Sequence, residues 1–323
     1  MKATVTILTF NAEPWIRELL ESVERQQAPF DFEILVIDSG SSDATIAIIK
    51  KFPRVRLHQI PNSEFGHGKT RNLAATIAHG EFIVYLTHDA VPATQHWLEE
   101  MIRPFGLSES VACVYGKQIP RPDCCPTVKR DVIGVFAGFG PDHFIMVQQA
   151  NSNITHQASL DAITFFSDVN SAVRRELLIN TLPYRDLNYS EDYAFGRDVI
   201  AAGLVKAYAP LGAVIHSHSY PPMKYFRRMY DEMLGIKKAT GQTLDTRMWF
   251  HIAWTLKATL KDWRFIIRDP SYRLRTKLKF VMQAPFYNAF RRIAIRLSTK
   301  SQLPMWAHRF LSLEHRARST TAR

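Results

Sequence analysis

At 323 residues, 46% hydrophobic and 22% charged, the chain reads as an ordinary globular protein with room for one large or two modest domains. Cys113, Cys124 and Cys125 lack paired metal-ligand spacing, which excludes a disulfide scaffold or a cysteine zinc site and suits a reducing compartment. The apolar run in MKATVTILTF is only a strand long, so no signal peptide is expected, and no stretch of about 18 uncharged apolar residues offers a membrane span. The net charge of +11 is uneven: residues 220–323 hold 22 Lys and Arg against 6 Asp and Glu, while residues 1–219 are net acidic. That skew points to an anionic partner for the last third, nucleic acid or anionic lipid.

Residues 4–9 read as a strand. Asn11 is placed to cap a helix with Pro14 in its first turn and Trp15, Ile16, Leu19, Leu20 and Val23 at helical spacing. A second strand, 33–37, runs into DSGSSD, where Gly40 permits a tight turn and Ser42 or Asp43 can cap a helix carrying Ile46, Ile48 and Ile49. A third strand covers 55–60, and a helix over 67–78 is expected to close at Gly80 as its C-cap. Residues 82–86, FIVYL, form the continuous run of a central parallel strand that ends in Thr87, His88 and Asp89. Strands alternating with helices imply a parallel, doubly wound sheet whose loops 9–11, 38–43 and 87–89 share one edge. Those loops hold neither GxGxxG nor GxxxxGK[ST], so a dinucleotide fold or P-loop is disfavoured. By position, Asp89 either caps the next helix or holds a hard cation on phosphate oxygens, and Asp38 and Ser39 either turn the chain or meet a ribose or base.

Three motifs, ILTFNAEPWIRELLESV, ILVIDSGSSDAT and RNLAATIAHGEFIVYLTHDA, resemble the nucleotide-binding half of glycosyltransferase family 2 over residues 3–120. The resemblance implies a GT-A fold: an α/β, Rossmann-like, mainly parallel sheet flanked by helices, here with a basic helical C-terminal extension. It also implies an inverting enzyme that uses a nucleotide-diphosphate sugar, with Thr9, Asn11, Asp38 and Ser39 at the nucleoside. Asp89 becomes the metal-binding acid of a DxD motif, for Mg²⁺ or Mn²⁺, and Thr87 stands where the first acid of that motif is expected. EFGHGKTRN at 64–72 further resembles the FxHGxTRN signature of bacterial rhamnosyltransferases, and THDA resembles their TQDA. This makes dTDP-L-rhamnose, or another nucleotide-diphosphate sugar, the expected donor and adds His88 to the donor-binding set. Gly66 and Gly68 are expected to let backbone approach a ligand, and Lys69 and Arg71 stand at a helix N-terminus, where a diphosphate is favoured.

Trp97, Leu98 and Met101 mark a helix, 111–117 a strand, and 120–160 an irregular acceptor wall. SDVNSAVRR at 167–175 resembles the family segment where the sheet resumes. NYSEDYAFGRD at 188–198 resembles the family's ED motif, which makes Asp192 the general base and leaves Glu191 to hold acceptor or a basic partner. Without the resemblance, the two acids equally start a helix that Gly203 ends. After a strand at 213–215, His216 and His218 face one way on an extended chain, and His216 is favoured as the second metal ligand.

Three basic helices follow, 223–239, 247–267 and 272–290 or beyond, interleaving Trp249, Trp254, Trp263, Phe280 and Phe286 with Lys and Arg. They read as interfacial segments on anionic headgroups, the other reading being a solvated basic face. The tail from 313 reads as disordered, and no RNA- or DNA-reading motif occurs, so no nucleic-acid partner is expected. The organisation expected is a catalytic domain over 1–220 (nucleotide-sugar half 1–120, acceptor half 121–220), a basic helical region over 221–312, and a tail. The function expected is metal-assisted single displacement moving L-rhamnose onto a cell-envelope glycan or lipid-linked acceptor. The place expected is the cytoplasm, peripheral on the inner face of the membrane. The alternatives are a family 2 transferase using another sugar nucleotide, or a non-catalytic nucleotide-sugar or lipid-binding protein.

Overall fold

A computed structural model describes residues 1–149, 163–187, 189–240, 247–299 and 304–313. The chain divides into two compact units, 1–119 with 135–216 and 120–134 with 217–323.

The first unit is built on nine strands among the described residues. They are β1 (Ala3–Thr9), β2 (Phe32–Asp38), β3 (Val55–Gln59), β4 (Phe82–Thr87), β5 (Val91–Pro92), β6 (Val111–Ile119), β7 (Met146–Gln148), β8 (Asn170–Arg174) and β9 (Val205–Ile215). Their order is β3-β2-β1-β4-β8-β6-β9-β5, with β7 pairing β9. β1 to β4 are mutually parallel, β8 runs against both β4 and β6, and β9 runs with β6. The short β5 and β7 oppose β9. The sheet is therefore mainly parallel within a mixed α/β unit, as the motifs imply. Ile34, Leu35, Val36 and Ile37 of β2 and Ile83, Val84, Tyr85 and Leu86 of β4 are all buried, the pattern of strands covered on both faces. The helix Ile16–Glu24 supplies Ile16, Leu19, Leu20 and Val23 to that core, and the helix Trp97–Ile102 supplies Trp97, Leu98 and Met101.

Several local expectations give way to tertiary contacts. Asn11 does not cap the first helix: it lies in the left-handed region at φ 48°, and its side-chain oxygen accepts the Ser42 N–H at 2.9 Å. Gly80 is no C-cap either, since the helix His67–Ile77 ends at Ala78 in extended backbone. Gly80 is small because β1 passes over it; a Cβ there would lie 2.4 Å from the Thr4 nitrogen. Residues 126–137 form a helix where irregular chain was expected, and β9 begins eight residues before the expected 213. Of the expected acceptor wall, 150–162 lie outside the described residues, as does the tail from 314.

The second unit is helical: the start of Pro126–Ala137, then Pro222–Thr240, Met248–Arg268, Leu274–Thr299 and Met305–Leu311. Tyr225, Phe226, Tyr230, Tyr287, Ala294 and Leu311 form its core. Asp262 is fully buried there and tied to Arg130 at 2.9 Å, Thr127 at 2.9 Å and Asn288 at 2.6 Å, which links three helices through one carboxylate. Among the described residues no helix is long and apolar enough to cross a membrane.

Candidate active site

Parallel pairing brings the chemistry-bearing loops to one edge of the sheet. Thr9 ends β1 opposite Asp38, which ends β2, while Leu8 pairs with Thr87 at the end of β4. The antiparallel β8 starts at that same edge, where Leu86 pairs with Asn170 and the Thr87 N–H donates to the Val169 carbonyl at 3.2 Å. β6 and β9 finish there together, Ile119 beside Ile215.

The first loop pair is self-locked. Asp38 is fully buried, and its oxygens accept from the Gly40 N–H at 3.0 Å, the Ser41 N–H at 2.9 Å and the Thr9 hydroxyl at 3.1 Å. The Ser39 hydroxyl donates to the Thr9 carbonyl at 3.1 Å, and the exposed Asn11 bridges to Ser41 and Ser42. Gly40 carries φ 84°, the left-handed turn a glycine takes without penalty. Thr9, Asn11, Asp38 and Ser39 are thus brought together, as a rigid wall rather than four loose side chains.

At the end of β4, Asp89 faces His216. The two-residue strand β5 pairs Val91 with Ile215, which draws the residues just outside that pairing together. The Asp89 Oδ2 lies 3.5 Å from the His216 Nε2, and both residues are 6% exposed. On its other side the His216 Nδ1 meets the Gln118 Oε1 at 2.9 Å, and Gln118 donates in turn to the Ser167 hydroxyl at 3.1 Å. A neutral imidazole that donates through Nδ1 to this amide oxygen turns its Nε2 lone pair toward the carboxylate. A carboxylate oxygen and an imidazole lone pair converging in a buried position suit a divalent cation. His218 falls in the second unit, and His88 is half-buried one residue before Asp89.

The third cluster centres on Arg71, which is 5% exposed. Its Nη1 donates to the Glu191 Oε1 at 2.5 Å and to the His67 carbonyl at 3.1 Å, and its Nε lies 3.1 Å from the Asp168 Oδ2. The Tyr184 hydroxyl and the Ser171 hydroxyl complete Asp168 at 2.8 and 2.7 Å. Arg71 is therefore engaged by two buried acids and is not the open diphosphate contact its helix position predicts; Lys69, on the same turn, is exposed. Gly68 serves chain packing: a Cβ there would lie 2.2 Å from the Arg185 carbonyl oxygen, so Gly68 admits the 184–185 backbone.

Asp192 follows in the first turn of the helix Glu191–Ala201, entered through Ser190 at φ 60° and ψ 30°. A left-handed serine is strained, and strain of this kind gathers where a site fixes a side chain. Burial, then the charges of Glu191 and Asp168, push the Asp192 carboxyl well above its ordinary range, against a partial opposing pull from Arg71. Burial also raises Glu191, but Arg71 and then His67 outweigh it and hold that carboxyl below its ordinary value. Adjacent acids are thereby driven apart in proton affinity, the arrangement by which one carboxyl takes a proton and its neighbour stays ionised. Sequence reasoning missed Asp168, Tyr184 and Gln118. The available signals were an acid just ahead of the strand Asn170–Arg174 and a glutamine near the end of the largely apolar strand Val111–Ile119.

Comparison with known proteins bears on this edge. The family description "Glycosyl transferase family 2" matches residues 4–181, more than half of the chain. The chain belongs to glycosyltransferase family 2. It is a glycosyltransferase, similar to the O-antigen chain rhamnosyltransferase RfbN of Salmonella typhimurium, with 29% identity over 239 residues that cover 72% of this chain and 71% of the relative. It is also similar to the O-antigen chain rhamnosyltransferase WbaN of Salmonella anatum, 30% identical over 62% of this chain and 61% of that one. Among solved structures, the fold is shared with a mannosyltransferase of Pyrobaculum calidifontis in complex with GDP-mannose and Mn²⁺. The two are 19% identical with a TM-score of 0.60, covering 92% of this chain and 86% of the other. Staphylococcus aureus TarS 1–349 in complex with UDP gives a TM-score of 0.52 at 19% identity, covering 94% of each chain.

Proposed function

We propose that this family 2 glycosyltransferase moves L-rhamnose from dTDP-L-rhamnose onto a glycan or lipid-linked acceptor of the cell envelope, with inversion at the anomeric carbon. The observation that carries the reading is the split between Glu191 and Asp192 in the first turn of one helix, which raises the proton affinity of one carboxyl, the direction a general base needs, while its neighbour is held ionised by Arg71. The rhamnosyltransferase names of the two Salmonella relatives support the choice of sugar. The nucleotides in the mannosyltransferase and TarS complexes support a nucleotide-diphosphate donor.

In this reading the locked loops carrying Thr9, Asn11, Asp38 and Ser39 receive the nucleoside, and exposed Lys69 and half-buried His88 meet the donor beyond it. Asp89 and His216 hold Mg²⁺ or Mn²⁺, with Gln118 orienting the imidazole; when bound, the ion neutralises charge developing on the diphosphate leaving group. Asp192 accepts the proton of the acceptor hydroxyl as that oxygen bonds to the anomeric carbon from the face opposite the diphosphate. The bond from the anomeric carbon to the diphosphate oxygen breaks in the same step, so no covalent enzyme intermediate is needed. Arg71 keeps Glu191 ionised and clamped, and the Glu191 charge keeps Asp192 basic. The protein acts in the cytoplasm against an anionic membrane surface, where such acceptors are made.

Asp192→Asn tests the assignment. It should abolish measurable transfer while dTDP-L-rhamnose still binds by calorimetry with wild-type affinity; turnover within a few-fold of wild type would remove Asp192 from the role of base.

A further inference from the structure

The helices Met248–Arg268 and Leu274–Thr299 present apolar residues to solvent along one side. On the first, Trp249, Ile252, Leu256, Leu260 and Ile267 are 63, 56, 63, 52 and 65% exposed. Steps of three, four and seven residues keep them on one stripe of an α-helix. On the second, Leu274, Leu278, Met282, Phe286 and Ile293 do the same at steps of four and seven. The two stripes meet: a cavity of about 410 Å³ between the helices is lined by Ile252, Leu256, Ala289, Ile293 and Leu297, with Arg292 and Arg296 beside them. Helical phase places Leu278, Met282 and Phe286 on the same side as Ala289 and Ile293, so groove and stripes form one continuous apolar face.

The charge around this face has one sign. Lys257, Lys261, Arg264 and Arg268 are exposed along the first helix, and Arg275 and Lys279 along the second. The only acid in either helix is Asp262, which is fully buried and bound to Arg130. An exposed apolar area of this extent marks a binding surface. A second copy of the chain would set cation against cation, and a nucleic acid would leave aliphatic Leu, Ile and Met with nothing to stack on.

We propose that this two-helix face docks on an anionic phospholipid bilayer. Leucines and Trp249 enter the headgroup boundary, the groove takes an acyl chain, and the flanking cations, with Arg292 and Arg296, meet lipid phosphates. The idea names the surface behind the membrane location proposed above and rests on that reading for its purpose, but binding is measured apart from transfer.

The test is co-sedimentation of the full chain with vesicles of phosphatidylglycerol and phosphatidylcholine against phosphatidylcholine alone. Wild-type protein should bind only the anionic vesicles, and less at high salt. Lys257→Gln, Lys261→Gln and Arg264→Gln combined should weaken binding at least roughly tenfold, given what each cation contributes near such a surface. Leu256→Asn with Leu278→Asn should do the same, with donor binding by calorimetry unchanged in both variants. Equal vesicle binding by wild type and the charge variant overturns the proposal. So does concentration-dependent self-association, or RNA binding, that these variants abolish while wild type ignores vesicles. Transfer lost with vesicle binding intact would instead count against the catalytic reading alone.

Discussion

Asp192 sits where its charge is least welcome, beside two other acids and behind a strained serine, and that has a consequence for stability. A carboxyl whose proton affinity rises on folding favours the native state while protonated and opposes it once ionised. Stability from this group is therefore full below its ordinary value of 3.8 and is lost as pH rises from there through the raised native value. Asp192→Asn removes the ionised form, so at about pH 8 the variant should melt above wild type, and the gap should close toward about pH 4. Equal melting temperatures at the higher pH would mean that the Asp192 charge is not opposed by the fold. Glu191 behaves in the opposite sense, since its value is lowered and its contribution disappears as pH falls. Sequence motif alone named both acids. It was silent on Asp168, because an aspartate in a loop before a strand looks like any turn residue until Arg71 is seen 3.1 Å away.

The helix His67–Ile77 shows how one element can be legible in position and misread in purpose. Its glycines and basic residues read as a ligand cradle, but Gly68 is there to let the 184–185 segment pass, and Arg71 turns inward. Those two positions differ from expectation because sequence gives spacing along the helix and not which neighbour packs on each face. Asn72 confirms the packing by exchanging two hydrogen bonds with the Tyr184 backbone, at 2.8 and 2.9 Å. Gly68→Ala should accordingly cost about 1–3 kcal/mol in urea unfolding, the range for overfilling a closed contact. It should also lower transfer, because Tyr184 braces Asp168; an unfolding midpoint within error of wild type would show that the backbone shifts freely. The short β5 is the converse case, two residues no periodicity could reveal, on which the meeting of Asp89 with His216 depends.

At the level of the molecule, the candidate cation site joins chain positions 127 residues apart, and its test is likewise one of the whole protein. Removing divalent ions with a chelator should weaken dTDP-L-rhamnose binding by wild type, measured by calorimetry, and restoring Mn²⁺ should recover it. Asp89→Ala should show the weak affinity in both conditions; a metal response retained in that variant would place the ion elsewhere. What the sequence determined by itself was the run of strands and helices, the edge at which their loops collect, the family, and the basic character of the last third. These follow from local periodicity, turn chemistry and composition, which need no knowledge of distant partners. Only the tertiary structure decided that Arg71 binds Glu191 and Asp168, that Gln118 orients His216, and that leucines of two helices share an outward face. Each depends on which residues, far apart along the chain, come within a few ångströms once the sheet and helices pack, and pairing at that distance leaves no periodic trace in the sequence.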